Sequence, residues 1–206
     1  MNWKREGIHW GQPLARLLFL ALFFFGGLIL GQVLAGRVPP AAGEELRRYL
    51  SAYVQMEEEP GPKAALSAAV LYFRYPAAAL LLGFASIGVV LLPLLSGVFG
   101  FFLSFSVCCF TAAFGSDGVL LALAVFGLRC AVTLPCYFFL AASAWERSAA
   151  LASLSLGRGR RAAPAACEKN GWMCLAVVSA VLLAGMSAEL LLSPWFLRQV
   201  LERILL

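Results

Sequence analysis

Charged residues are scarce in this sequence, and their scarcity excludes a water-soluble domain. Only 13% of the 206 residues are Asp, Glu, Lys or Arg, whereas 62% are hydrophobic, and the mean hydropathy is +0.85. A soluble domain has about 25% charged and about 45–50% apolar residues. A lipid bilayer solvates such a chain better than water does, so the composition predicts one integral membrane domain over residues 1–206.

Groups that bind metals or carry out catalysis are also few. There is one histidine, His9, and no C-x-x-C pair. Five of the six cysteines lie inside apolar stretches, where cysteine behaves as a small hydrophobic residue. A metal site needs clustered ligands, and catalysis needs a nucleophile with a base, a carboxylate pair or a metal. We therefore expect no metal, no cofactor, no catalytic residue and no enzymatic activity.

The net charge of +5 does not indicate a nucleic-acid partner. Most of the 16 Lys and Arg lie between or beside apolar runs, where they act as topology signals. No water-exposed segment interleaves a Lys/Arg block with aromatic residues. The partner expected from this pattern is the lipid bilayer, and no nucleic-acid binding is expected.

Long uncharged runs predict an all-α, polytopic membrane protein with about five transmembrane helices. About 20 apolar residues cross the hydrocarbon as a helix. The 42 uncharged residues between Arg74 and Asp117 accommodate two spans, with the turn between them at 93–97. The predicted spans are 17–36, 76–95, 97–115, 119–145 and 172–192, and the predicted helix breaks are Pro93, Gly97, Pro135 and Pro194.

The fourth of these segments is longer than a single crossing requires. Its 27 residues would extend about 40 Å as a helix, and Gly127, Arg129 and Pro135 interrupt it. One interpretation is a tilted and kinked helix. The other is a short re-entrant or interfacial piece over 117–128, a break near 127–130, and a span over 130–145. The second is slightly favoured, because it places Arg129 near an interface.

The segment 37–75 is predicted to be an outer loop that contains an amphipathic helix. Apolar residues recur between Leu46 and Val54 with the spacing of one helix face. A second helix is predicted to begin at Pro62, because proline is accepted in a first helical turn. It would run into the second span past three aromatic residues interpreted as an interfacial belt, which are Tyr72, Phe73 and Tyr75.

The positions of Lys and Arg near the span ends favour a cytoplasmic N-terminus and an outer C-terminus. With this orientation eight of these residues lie inside and seven outside, which barely discriminates. The loop 146–171, however, carries the densest basic cluster, GRGRR, whereas the first loop carries five glutamates. We therefore assign the loop 146–171 to the cytoplasm.

The first apolar run has an alternative interpretation as a cleaved signal peptide. Val33 and Ala35 are small residues suitably placed before a cleavage point, and Lys4 and Arg5 lie upstream of the apolar core. The run is long for a signal peptide, and four further spans follow it. A retained signal-anchor is therefore favoured.

Two ionisable residues fall inside the predicted spans, and both are candidates for an intramembrane polar pair. Arg129 lies in the fourth segment and Glu189 in the fifth, both in the outward half of the predicted topology. Such groups are costly in lipid and are usually paired or functional. Independent snorkelling of each side chain to the interface is the simpler interpretation. A pair would more readily fix helix packing than move protons.

A stripe of small residues marks a helix-packing face on the first span. Gly27, Gly31 and Ala35 are spaced four residues apart, and such stripes let helix backbones approach closely. Packing within the protein is the favoured use of this stripe. Contact with a partner, including a homo-oligomer, stays open.

Residues 194–206 are predicted to form an amphipathic helix in the plane of the outer membrane interface. Leu197 and Leu201 belong to its apolar face, and charged residues occupy the opposite face. Thirteen residues are too few to span the bilayer, and Trp195 would anchor the segment where it leaves the membrane. This interfacial tail is suited to contacts with the outer loop or with a partner.

The order and texture of these segments resemble the stage II sporulation protein M family of endospore-forming bacteria. The resemblance covers nearly the whole chain and is most specific around Glu189 and the Ser193-Pro194 step. It is carried by the following stretches, in chain order: LFFFGGLILGQVLAG, EELRRYLSAYV, LLGFASIGVVLLPLLSGVFGFFLSF, LRCAVTLPCYFFLAASA and AELLLSPWFLRQVLERILL. No catalytic signature belongs to this pattern, and no active residue is carried over.

The resemblance implies a non-enzymatic anchor in the mother-cell membrane at the sporulation septum. Such a protein would localise and support a peptidoglycan-degrading complex during engulfment, with the stage II sporulation proteins D and P as partners. The alternative is a permease-like subunit of a membrane transporter, because broken helices and intramembrane charges are features that transporters use.

Overall fold

The computed structural model describes residues 11–37, 62–155 and 175–192, whose regular structure is entirely helical. Five of its helices are long and apolar enough to cross a membrane. The predicted fold class, an all-α polytopic membrane protein, is therefore confirmed. The elements are α1 Gly11–Ala35, α2 Pro62–Gly83, α3 Gly88–Phe114, α4 Ser116–Ala122, a π-helical segment Leu123–Gly127, α5 Leu128–Ser155 and α6 Leu175–Leu192.

The surfaces of the helices are consistent with lipid as their solvent. Only 22–33% of the residues in each hydrophobic window are buried inside the protein. Large apolar side chains such as Leu22 and Leu30, both 64% exposed, point away from the bundle. Helices satisfy their own backbone hydrogen bonds, which is why an apolar exterior of this kind is stable in hydrocarbon.

The second helix begins at Pro62, as predicted, but the turn that follows it is not where the sequence places it. The chain turns at residues 84–87, and both Pro93 and Gly97 lie inside α3, so their assignment as helix breaks is corrected. A proline near the start of a membrane helix removes only one helix hydrogen bond and is tolerated there.

Small residues and one serine explain the position of this turn. The hydroxyl of Ser148, on α5, donates a hydrogen bond to the carbonyl of Ala85 at 2.7 Å. A Cβ added to Gly83 would lie 2.9 Å from the Cα of Ala144, so glycine is required for this close approach to α5. The turn is therefore determined by a contact with a distant helix.

The fourth segment is helical throughout, and the favoured break near 127–130 is replaced by a π-helical segment. The helical stretch runs from Ser116 to Ser155 and includes Pro135, so this residue is not a break either. The backbone is α-helical at Ala122 and at Leu128, on both sides of the π turn. A π turn adds one residue and thereby rotates the side chains that follow it, including Arg129.

This helical stretch extends beyond one crossing of the membrane. Its 40 residues correspond to about 60 Å, roughly twice the hydrocarbon thickness. The last turns of α5, up to Ser155, occupy the beginning of the loop predicted over 146–171. Helical structure therefore carries the chain out of the hydrocarbon at one end or at both.

The central core joins α1, α2, α3 and α5 through aromatic side chains. Tyr75 stacks on Phe99 with the ring centroids 4.2 Å apart, and the hydroxyls of Tyr137 and Ser96 lie 2.8 Å apart in a hydrogen bond. The buried members of this cluster are Leu20, Phe24, Tyr75, Ala79, Leu92, Phe99, Tyr137, Ala141 and Ala144.

The small-residue stripe of α1 packs within the protein, against α3. A Cβ added to Gly27 would lie 2.8 Å from the carbonyl carbon of Gly97, and one added to Gly31 would lie 3.1 Å from the amide nitrogen of Phe105. The half-buried Ala35 lies at the end of α1. The two glycines thus allow α1 and α3 to cross with their backbones in contact.

Several predictions concern parts of the chain outside the described residues. These are most of the outer loop with its amphipathic helix, the GRGRR cluster, and the tail with Pro194, Trp195, Leu197 and Leu201. They stay predictions from the sequence.

Candidate functional site

The structure brings Arg129 and Glu189 together as a bidentate ion pair between α5 and α6. The Arg129 Nε donates to Glu189 Oε2 at 3.2 Å, and Nη2 donates to Oε1. The side chains are 20% and 11% exposed, so most of both charged groups is removed from the surroundings. The guanidinium fork matches the carboxylate, and this geometry is stronger than contact with a compact ammonium group.

The packing of α6 against α5 brings the two residues to the same level. Val178, Leu182, Gly185 and Glu189 recur at steps of four, three and four residues, and all four are buried. A Cβ added to Gly185 would lie 2.7 Å from Cγ1 of Val132. This close contact, one turn before Glu189 on α6, places its carboxylate beside Arg129.

Tyr72 connects α2 to the same pair. Its side chain is fully buried, and its hydroxyl donates a hydrogen bond to the carbonyl of Gly185 at 3.2 Å. The guanidinium carbon of Arg129 lies 5.7 Å from the centre of the Tyr72 ring, within the range of a cation–π contact. Tyr72, one of the aromatic residues interpreted from the sequence as an interfacial belt, is thus a buried residue that joins three helices.

A cavity of about 360 Å³ lies beside the ion pair, between α2, α3, the π segment and α5. Two arginines line it, Arg74 and Arg129, and Arg74 also lies 4.5 Å over the ring of Tyr75. Apart from these two arginines, most of the cavity wall is apolar. The remaining lining residues are Leu71, Tyr75, Phe99, Phe102, Leu103, Ser106, Phe126, Cys130 and Thr133.

Thr133 is the exceptional polar residue among those that line this cavity. Thr133 is 3% exposed, and within the described ranges its Oγ1 has no hydrogen-bond partner. Other hydroxyls in these spans, such as those of Ser106 and Thr111, bond to the carbonyl four residues earlier. A buried hydroxyl without a partner costs about 1–3 kcal/mol, so this atom marks a place where a polar partner would be stabilising.

A second ion pair lies away from this site. Arg16 Nη1, on α1, is 2.6 Å from Glu146 Oε1, on α5, and the Glu146 side chain is 64% exposed. Sequence reasoning missed this pair, although a signal was available. Both residues flank apolar segments at ends that the predicted topology places on the same side of the membrane.

The site consists of a clamp, formed by Arg129, Glu189 and Tyr72, and of a cavity beside it that is lined by two arginines. Glu189 accepts hydrogen bonds from Arg129 on both of its oxygens, and Tyr72 holds the adjacent turn of α6. Among residues 11–37, 62–155 and 175–192 no group of three His, Cys, Asp or Glu side chains is arranged to hold a metal ion. What the arrangement supplies is the fixed position of α6 against α2 and α5.

Removing the Tyr72 hydroxyl should weaken this attachment of α6 without abolishing it. We expect Tyr72→Phe to lower the free energy of unfolding by about 1 kcal/mol, because the carbonyl of Gly185 loses its extra donor while the ring stays packed. Reversible unfolding in mixed micelles measures this. Tyr137→Phe, which removes the hydrogen bond to Ser96 but leaves α6 untouched, is the matched comparison. Faster proteolysis of α6 in Tyr72→Phe alone is the expected signature.

Comparison with protein-family models, with curated proteins and with solved structures finds no match for this chain.

Proposed function

We propose that this protein is a non-enzymatic anchor in the cell membrane, which localises and supports a peptidoglycan-degrading complex at the septal or engulfing membrane during endospore formation. The observation that carries the proposal is the clamp formed by Arg129, Glu189 and Tyr72, which joins α2, α5 and α6. A scaffold needs surfaces held at fixed positions, and a buried bidentate pair specifies one register between two helices.

The clamp also supports a role for the residues that follow α6. Glu189 lies three residues before Leu192, where the described part of α6 ends. The predicted tail, 194–206, would therefore start from a helix whose position is held by the ion pair. In this proposal the tail and the outer loop are the contact surfaces for the partners, the stage II sporulation proteins D and P.

The proposed orientation places the N-terminus in the cytoplasm and the tail outside. The contact between Arg16 and Glu146 supports it, because it brings the start of α1 and the end region of α5 to the same side of the bundle. The GRGRR cluster follows α5 in the chain, and basic loops of this kind stay in the cytoplasm.

The proposal is tested by affinity purification of the tagged protein from sporulating cells after crosslinking. Recovery of the wall hydrolases named above supports an anchor. The same purification from cells expressing Glu146→Gln is the control, because that change breaks an exposed pair that shares no residue with the clamp. Recovery of the membrane protein without any wall enzyme would overturn the proposal.

Deleting residues 194–206 should separate membrane insertion from partner recruitment. All five candidate spans lie before this segment, so we expect normal insertion and normal protein levels. Recovery of the wall enzymes should fall at least about tenfold, because the loss of even one or two good contacts costs that much. Quantitative mass spectrometry of the crosslinked material measures this. Unchanged recovery with the truncated protein would contradict the role assigned to the tail.

A permease-like subunit is the second candidate function, and the cavity with its neighbouring π segment is the observation that favours it. Irregular helices that line a substrate cavity occur in transporters. Copurification of an ATPase, or substrate-dependent uptake by vesicles that contain the protein, would support this candidate over the anchor.

A further inference from the structure

We propose that the cavity between α2, α3 and α5 binds the negatively charged phosphate headgroup of a membrane lipid. This inference is independent of the proposed function, since an anchor and a transport subunit could both carry such a site. It is carried by three observations: two arginines on the cavity wall, a buried hydroxyl without a partner, and apolar lining over the rest of the wall.

The charge of the cavity selects an anion. Arg74 forms no ion pair with any of the described carboxylates, and its guanidinium lies over the Tyr75 ring at the cavity wall. Arg129 uses Nε and one hydrogen of Nη2 for Glu189, which leaves further N–H donors of its guanidinium available. Both arginines can therefore donate charge-assisted hydrogen bonds to oxygens of one phosphate group.

The hydroxyl of Thr133 adds a third donor. It lies deep in the wall, 3% exposed, and unlike Thr111 it does not bond to a carbonyl of its own helix. An oxyanion in the cavity would accept a hydrogen bond from it. Thr133, which carries the one buried side-chain oxygen that the described residues leave unsatisfied, thus lines the same cavity as the two arginines.

The remainder of the wall and the level of the cavity favour a lipid as the source of the phosphate. Leu71, Phe102, Leu103 and Phe126 offer apolar surface for acyl chains, and Phe102 is 50% exposed on the outside of the bundle. The sequence predicts that the fifth span ends at residue 192, and Glu189, the partner of Arg129, lies three residues before that end, which favours a site near the headgroup level. A lipid diffusing in that leaflet reaches such a site from the side.

The test uses the purified full-length protein in micelles of a neutral detergent. Thermal unfolding is followed on addition of phosphatidylglycerol, of phosphatidylcholine and of inorganic phosphate, and native mass spectrometry counts retained lipid. Phosphatidylglycerol should bind and raise the unfolding temperature. Phosphatidylcholine, whose choline group cancels the phosphate charge, and inorganic phosphate, which has no acyl chains, should have little effect. Equal effects of the two lipids, or of free phosphate and phosphatidylglycerol, would overturn the proposal.

Four variants make the test specific to the cavity. Arg74→Gln and Thr133→Val should each weaken phosphatidylglycerol binding about tenfold, because each removes one donor to the headgroup. Thr133→Val should also fold normally, since the hydroxyl that it removes has no partner to lose. Arg147→Gln and Thr111→Val, the matched controls outside the cavity, should bind like the unmodified protein. Equal losses in the controls, or unchanged binding in both cavity variants, would contradict the site.

Discussion

Glu189→Ala should lower the free energy of unfolding by about 3–5 kcal/mol, because it leaves the Arg129 guanidinium largely buried without its counter-charge. Reversible unfolding in mixed micelles, followed by intrinsic tryptophan fluorescence, measures the difference from the unmodified protein.

The exposed ion pair between Arg16 and Glu146 provides the control. Glu146→Gln breaks the contact with Arg16, but the Glu146 side chain is 64% exposed, so we expect a change below about 1 kcal/mol. An equal decrease in the free energy of unfolding in Glu189→Ala and Glu146→Gln would show that the buried pair contributes no more to stability than the exposed pair.

Exchanging the two charges tests whether Arg129 and Glu189 act as a pair. The double variant Arg129→Glu with Glu189→Arg keeps both charges in contact, and it should recover part of the stability lost by Glu189→Ala. Replacing both residues by leucine should also cost less than Glu189→Ala alone, because no uncompensated charge remains. An exchange variant that recovers nothing would indicate that each side chain reaches the membrane surface independently.

Features that depend on composition and local spacing could be predicted from the sequence. The uncharged runs indicate five spans, and proline at a first helical turn indicates where α2 begins. The spacing of Gly27 and Gly31 indicates a close helix contact, and the structure places that contact against α3. Each of these signals is local, since it depends on residues within a few turns of each other.

Features set by contacts between distant residues could not be predicted in this way. The turn at 84–87 is stabilised by Ser148, more than sixty positions further along the chain. Pro93, which suggested a turn in the sequence, lies inside a continuous helix. The cavity and the unpartnered hydroxyl of Thr133 depend on how α2, α3 and α5 are arranged. The positions of polar residues in the sequence therefore predict neither the cavity nor the missing hydrogen-bond partner of Thr133.

The ion pair lies between these two cases. Both partners could be selected from the sequence as costly charges in apolar segments, but their pairing depends on the rotation of α5 after the π segment and on the contact of Gly185 with Val132. A π turn has no simple sequence signature, so the rotation of Arg129 towards α6 could not be derived.

Gly27→Ala should destabilise the protein by about 3 kcal/mol, because the added methyl group would meet the backbone of α3 and not a flexible side chain. The new Cβ would lie 2.8 Å from the carbonyl carbon of Gly97 and 3.0 Å from its Cα. Backbone atoms in two packed helices can only separate as a unit, so the whole crossing of α1 and α3 has to loosen. Unfolding in mixed micelles measures the loss, and a cysteine crosslink across the crossing measures the separation.

Gly26→Ala is the matched control, since it makes the same chemical change one residue earlier on the same helix. Apart from the chain neighbours and the backbone of its own helix turn, no atom of the described residues lies within 4 Å of a Cβ at Gly26, which faces outward. Alanine is the better helix former, so this variant should be as stable as the unmodified protein or more stable by up to about 1 kcal/mol. Opposite signs for the two substitutions would establish that the stripe is used for internal packing. A stable Gly27→Ala protein that loses only its association with other proteins would instead place a partner on this face.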